Sequence, residues 1–165
     1  SRVTYDSGPA YDVCTKWRAV PSRHFDEPIL IGAAGSGRLD SIIVSSSKIL
    51  ETCMTPFEIA DVLKRAIIGD SWREAKGEDG APQDYSVEII VILNNELFRI
   101  SSDFSVTPIP DLTLVAVGSG EPYALGAGYA ARNKSCKEQV RTSIQAAIKY
   151  DPNCGGKIQV GEIEL

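Results

Sequence analysis

The sequence predicts an α+β fold, and three observations carry that expectation. Strand-like runs and helical runs follow one another in the order strands, helix, helix, strands, helix, helix, strand. Two of the helical runs open on capping boxes, Thr55 with Glu58 and Ser135 with Glu138. Residues 85–93 are strongly β, with Val87, Ile89, Val91 and Leu93 alternating against Glu88, Ile90 and Ile92, and an Asn-Asn turn leads into a returning strand, as in a β-hairpin. Each strand-rich region precedes a helical pair, which is the order expected of a four-layer αββα sandwich: two stacked sheets covered on both outer faces by helices. A two-layer α+β domain with its helices on one face produces the same order, so pattern alone leaves both open.

Element by element, residues 1–20 read as an irregular strand, a turn at Asp6-Ser7-Gly8-Pro9 and a second strand around Val13 to Val20. Residues 28–34, Pro-Ile-Leu-Ile-Gly-Ala-Ala, form a short apolar run that predicts a buried strand, and Gly35-Ser36-Gly37 breaks it. Leu39, Ile42, Ile43, Ile49, Leu50 and Cys53 keep one helical face. The next helix starts at Thr55 with Pro56 in its first position, and its expected apolar face is Phe57, Ala60, Val62, Leu63, Ala66 and Ile67.

Residues 70–84 show neither period and predict a solvated loop. Tyr85 to Leu93 predicts a strand, Asn94-Asn95 its turn, and Glu96 to Ser101 the returning strand. Residues 112–117, Leu-Thr-Leu-Val-Ala-Val, predict a further buried strand, ended by Gly118-Ser119-Gly120. A small-residue helix follows over about 121–132, its Ala and Gly positions suited to close packing. The helix opened by Ser135 turns Val140, Ile144, Ala147 and Ile148 inward and stops at Asp151-Pro152. Ile158, Val160, Ile163 and Leu165 predict a last strand, bulged near Gly161.

Composition narrows the function classes. A chain of 165 residues with 43% hydrophobic residues can build a sizeable core as a single domain over 1–165. A net charge of −5 without a cluster of Lys and Arg argues against nucleic acid as a partner. No apolar run approaches the length of a membrane span. Cys14, Cys53, Cys136 and Cys154 are widely spaced and His24 is the single histidine, so neither a metal nor a disulfide framework is expected. Small, buried or half-buried thiols in a cytoplasmic protein are the expectation.

Four stretches carry a resemblance. Residues 31–37 (Ile-Gly-Ala-Ala-Gly-Ser-Gly), residues 117–124 (Val-Gly-Ser-Gly-Glu-Pro-Tyr-Ala), Cys14-Thr15-Lys16-Trp17 and Asp151-Pro152-Asn153-Cys154-Gly155-Gly156 resemble, in order and spacing, the proteasome β-subunit family. The likeness is nearest to the peptidase subunit of the bacterial ATP-dependent two-component protease and its phage-encoded relatives. The second stretch is the most specific, and together they span nearly the whole chain. The resemblance implies the αββα sandwich of the N-terminal-nucleophile hydrolases. It also implies a threonine-type peptidase, in which a Thr exposed by processing attacks the peptide carbonyl with an amine as base.

Position by position, Lys16 matches the family's catalytic Lys, whose charge lowers the cost of ionising the nucleophile. Cys14 points the same way along an alternating strand, and Thr15 the opposite way. Gly35 matches the glycine whose backbone N–H forms the oxyanion hole, where a side chain would obstruct substrate. Ala33 would line the pocket for the substrate residue before the cut. Ser119 matches the serine that hydrogen-bonds near the nucleophile's amine, and Asp151 the acid of that network. Cys154 stands where the family's D-x-x-S-G-G pattern carries Ser, a departure expected to weaken the network because a thiol is a poorer hydrogen-bond partner. Apart from the resemblance, Lys16 reads as a solvated strand residue, Gly35 as a turn glycine, Ser119 as an N-cap and Asp151 as a helix-ending residue.

The start of the chain departs furthest. The family's first strand begins with the nucleophilic Thr, and the resemblance places about 15 to 17 residues, one hairpin, ahead of Ser1. Ser1 is a poor substitute nucleophile, since 15 positions separate it from Lys16, about half of what the pattern needs. The expected protein is therefore a peptidase subunit of a homo-oligomeric ring, N-terminally incomplete in this sequence. It would need no cofactor, be fed unfolded polypeptide by an ATP-dependent unfoldase, and lie in the cytoplasm, of a host cell if phage-encoded. The alternative expectation is a structural or assembly protein that keeps the fold without catalysis.

Overall fold

The computed structural model describes residues 2–5, 17–35, 38–69, 87–111, 113–158 and 160–164. Among these the chain runs β1 (Arg2–Tyr5), β2 (Trp17–Val20), β3 (Ile29–Ala34), α1 (Arg38–Leu50), α2 (Pro56–Gly69), β4 (Glu88–Leu93), β5 (Glu96–Ile100), β6 (Val106–Ile109), α3 (Glu121–Ala130), α4 (Cys136–Tyr150) and β7 (Gly161–Glu164). This is the predicted order, with one strand, β6, that the pattern did not announce. The chain separates into two compact units, Ser1–Trp17 with Ile109–Leu165, and Arg18–Pro108.

The Arg18–Pro108 unit is built on a five-stranded sheet in the order β2-β3-β4-β5-β6. β3 and β4 are antiparallel with Ile31 opposite Val91 and Ala33 opposite Ile89. β4 and β5 are antiparallel with Ile89 opposite Ile100 and Val91 opposite Phe98. Asn94 and Asn95 close that hairpin with φ of 48° and 64°, the two positive values that a tight two-residue turn needs and that Asn tolerates. β6 takes the edge of the sheet, where Pro108 can sit in a strand because no further ladder needs its missing N–H.

One face of the sheet carries Ile29, Ile31, Val87, Ile89, Val91 and Ile100, and α1 and α2 supply Leu39, Ile43, Leu50, Ile59, Leu63 and Ile67 to the same buried cluster. The other face carries Leu30 opposite Ile92, both buried. A sheet apolar on both sides is suited to a layer covered on both faces. Arg18 anchors β2 to the first turn of α1 through two bonds to Asp40, 2.6 and 2.7 Å long.

Several expected helix faces need correction. Phe57 is 68% exposed, because the buried stripe of α2 is Ile59, Ala60, Leu63 and Ile67 and Phe57 falls to one side of it. Ile49 is likewise exposed, and the buried position of the last α1 turns is taken by Ser46 and Leu50. The α2 cap is as predicted: Glu58 N–H donates to Thr55 Oγ1 and Glu58 Oε2 accepts from the Thr55 N–H. The thiols differ from one another. Cys53 is buried, and that burial, with Glu58 second, pushes it up to about 11, whereas Cys136 is exposed rather than covered. Cys14 and the loop predicted over 70–84 lie outside the described residues.

In the other unit β1 pairs antiparallel with β7, Val3 opposite Ile163 and Tyr5 opposite Gly161. Residues 113–117 are not a strand, contrary to expectation. Strand propensity measures fit to a pleated, half-buried surface, and here residues 114–117 are half-buried without a ladder, with Leu114 lying against α3. Leu114 covers Gly128 of α3 so closely that a Cβ on that glycine would come within 2.1 Å of Leu114 Cδ2. Gly128 also faces buried Ser143 of α4, and its carbonyl accepts from Gln139 Nε2 at 2.9 Å, so the small-residue helix packs tightly as predicted. The α4 capping box is formed in full by Ser135 and Glu138. Among the described residues no helix is long and apolar enough to cross a membrane.

Candidate active site

The structure brings three of the sequence-predicted residues together, all in the unit that holds α3 and α4. Gly118 (φ 102°) turns the chain before α3, and its carbonyl accepts from Glu121 N–H at 3.0 Å. That geometry places Ser119 beside the end of α4, where its hydroxyl hydrogen-bonds the Asp151 carboxylate. Ser119 is not the helix cap, since Gly120 holds that position and makes no side-chain capping bond.

Asp151 ends α4 with its N–H on the Ala147 carbonyl, yet its side chain does more than terminate a helix. Only 5% of the residue is exposed. Its Oδ1 accepts the Asn153 N–H at 2.9 Å, and its Oδ2 accepts the Cys154 thiol at 3.3 Å. The Ser119 hydroxyl, followed by the Asn153 N–H, holds the carboxyl below its ordinary 3.8. The thiol at position 154 therefore engages the acid, as a poorer donor than the serine of the family pattern.

Asn153 and Gly120 belong to this cluster although motif reading did not single them out. Asn153 lies two residues after an Asp, the spacing at which an aspartate side chain accepts a backbone N–H and shapes a turn. That signal was present in the sequence.

A carboxyl whose folded pKa is depressed contributes stability that is present above its unfolded value and is lost as pH falls through the folded one. Asp151→Asn is therefore expected to be less stable than the parent at pH 7, with the gap closing below pH 4. Urea midpoints across pH 2.5–7 read this, and a gap independent of pH contradicts it.

Two further candidates belong to the Arg18–Pro108 unit. Gly35 follows β3 directly, is exposed, and takes φ of 128°, a region costly for any side chain. It is a strand-end turn glycine with a backbone that only glycine adopts freely. Gly35→Ala is expected to cost about 1–3 kcal/mol in urea denaturation. Gly126→Ala, on an exposed helical turn with open space around it, should cost nothing. Ala33 is half-buried and packs against the core cluster, opposite Ile89. Lys16 lies outside the described residues. Among the described residues no group of three or more His, Cys, Asp or Glu is arranged to hold a metal ion.

An α+β chain with a helix pair after each set of strands, and a Ser–Asp–thiol cluster joining a G-S-G turn to a D-x-x-C-G-G turn, has the fold of the proteasome-type β-subunits. Solved structures bear this out at the level of fold. Thiobacillus denitrificans BPH is similar over 99% of this chain and 92% of its own, with a TM-score of 0.72 at 17% identity. HslV from Trypanosoma brucei is similar over 99% of this chain and 93% of its own, with a TM-score of 0.58 at 21% identity. Anbu, the ancestral beta-subunit, from Yersinia bercovieri covers 98% of this chain and 76% of its own, with a TM-score of 0.65 at 14% identity. No protein-family model matches the chain, and no curated protein matches it.

Proposed function

We propose that this chain is the peptidase subunit of a proteasome-type, self-compartmentalised protease, acting as a threonine-type N-terminal-nucleophile hydrolase on unfolded polypeptide. The observation that carries the reading is the bonded cluster of Ser119, Asp151 and Cys154, standing at the positions where the family motifs put the residues around the nucleophile's amine.

In this reading the Thr hydroxyl adds to the scissile carbonyl while its own α-amine takes the proton. The Lys16 ammonium stabilises the developing alkoxide, and the Gly35 N–H donates to the carbonyl oxygen as it becomes an oxyanion. The C–N bond then breaks and the proton leaves with the amine product. Water, deprotonated by the same amine, hydrolyses the ester and restores the hydroxyl. Asp151 orients Ser119 towards that amine, and Ala33 borders the pocket for the residue before the cut.

A closed ring fits such a site because it restricts access to unfolded chains, and an ATP-dependent unfoldase is the partner that would supply them. Oligomeric assembly is supported by the similar proteins: the Anbu complex of Pseudomonas aeruginosa is a helical assembly, and the chain matches it with a TM-score of 0.65. The compartment is the cytoplasm, of a phage host if the gene is phage-borne.

A second reading, an assembly protein without catalysis, rests on the departure at position 154, where a thiol, a poorer hydrogen-bond partner, stands in place of the family's serine. Sedimentation followed by fluorogenic-peptide turnover separates the two. The assembled fraction should cleave peptides and lose that activity to a Thr-directed epoxyketone; assembled but inert protein overturns the peptidase reading.

A further inference from the structure

The Ser119–Asp151 bond depends on how near the turn before α3 can come to the end of α4. Gly120 sets that approach. It is buried, and a Cβ built on it would stand 2.6 Å from Cys154 Sγ, 2.9 Å from Ala147 Cβ and 3.5 Å from Asp151 Oδ2. The Ala147 Cβ is fixed to the α4 backbone and cannot rotate away. The sulfur can rotate, but only by giving up its 3.3 Å contact with Oδ2.

The need for glycine here is one of space and not of backbone. Gly120 has φ −82° and ψ 0°, values open to any residue, unlike Gly118 and Gly35 with φ of 102° and 128°. Sulfur is larger than the hydroxyl oxygen of a serine and stands on a longer bond, so a thiol at position 154 presses harder on whatever faces it. What faces it is the one residue type without a side chain.

We infer that Gly120 and Cys154 are a size-matched pair of positioning residues: the bare Cα admits the sulfur, and the sulfur holds the Asp151 carboxylate where Ser119 reaches it. The thiol acts as a donor to a group that, when ionised, can only accept. The carboxylate is then gripped from both sides, by the Ser119 hydroxyl from the α3 turn and by the Asn153 N–H and the thiol from the turn after α4. What that gripped carboxylate does rests on the function proposed above; the grip itself does not.

The test reads Asp151 directly, through the pH titration of its carboxyl carbon by NMR in the full-length protein without substrate. Gly120→Ala should move the midpoint up, in the same direction as Ser119→Ala, because the serine can no longer reach. Gly120→Ala/Cys154→Ala should move it by less than the shifts of Gly120→Ala and Cys154→Ala added together, since the new methyl then has no sulfur to displace. Gly126→Ala should leave it in place.

An unmoved midpoint in folded Gly120→Ala, or shifts of the two single variants that simply add in the double variant, overturns the pair. If Gly120→Ala does not fold, Cys154→Ala alone carries the test: loss of the thiol donor must raise the midpoint, and an unchanged one overturns the proposal. Midpoints that move as expected in a protein with no peptide turnover keep the pair and reject the peptidase reading, so the two failures are distinguishable.

Discussion

Lys16→Ala is expected to lower the turnover of short fluorogenic peptides by about 10²- to 10⁴-fold, the range that a positioned charge or acid–base group contributes to a chemical step. The physical reason is that Lys16 would act only on the reacting state. An ammonium beside a hydroxyl that is losing its proton stabilises the developing alkoxide much more than the neutral ground state. The loss should therefore fall on kcat, with KM close to the parent value. Steady-state kinetics on the assembled protein measure both. Undiminished turnover removes Lys16 from the mechanism, and a rise in KM at constant kcat assigns it to substrate binding instead.

Ile89→Ala should destabilise the protein by about 3 kcal/mol, within the 2–5 kcal/mol typical of large apolar residues truncated in a core. Ile89 is fully buried on β4, with Ala33 on one side and Ile100 on the other, inside the cluster that α1 and α2 cover. A cavity in the middle of three paired strands has little room to collapse. For a protein of this size the melting temperature should fall by roughly 6–12 °C. Phe57→Ala is the contrast, because Phe57 is exposed: its cost should stay within about 0.5 kcal/mol. Equal losses at the two positions would contradict the face assigned to α2.

These two residues also mark what the sequence made legible. The alternation of Val87, Ile89, Val91 and Leu93 predicted β4, and both capping boxes located helix starts that the structure shows. Such signals are local: they lie within one turn or one strand and need no partner to be read. Phe57 is not buried because two apolar faces overlap on the first turn of α2, and which one is buried depends on the sheet beneath it. Residues 113–117 form no strand for a similar reason, since the same β-branched run can join a ladder or lie under a helix, and Leu114 lies against Gly128. β6 is hidden in the sequence because Pro108 within it and Pro110 just after it disguise an edge strand.

The site followed the same division. The Ser119, Asp151 and Cys154 motifs were readable as motifs, and their meeting is observed. Gly120 was not readable, because its role lies in the space it leaves for a sulfur 34 positions further along the chain. No periodicity or spacing encodes that.

The most direct measurement of the central claim is mass spectrometry of the natural, processed protein after incubation with a Thr-directed epoxyketone. The mature N-terminal residue should be Thr, and its peptide alone should carry the adduct, through hydroxyl and amine together. A mature N-terminus without Thr, or a protein left unlabelled while assembled, would contradict it.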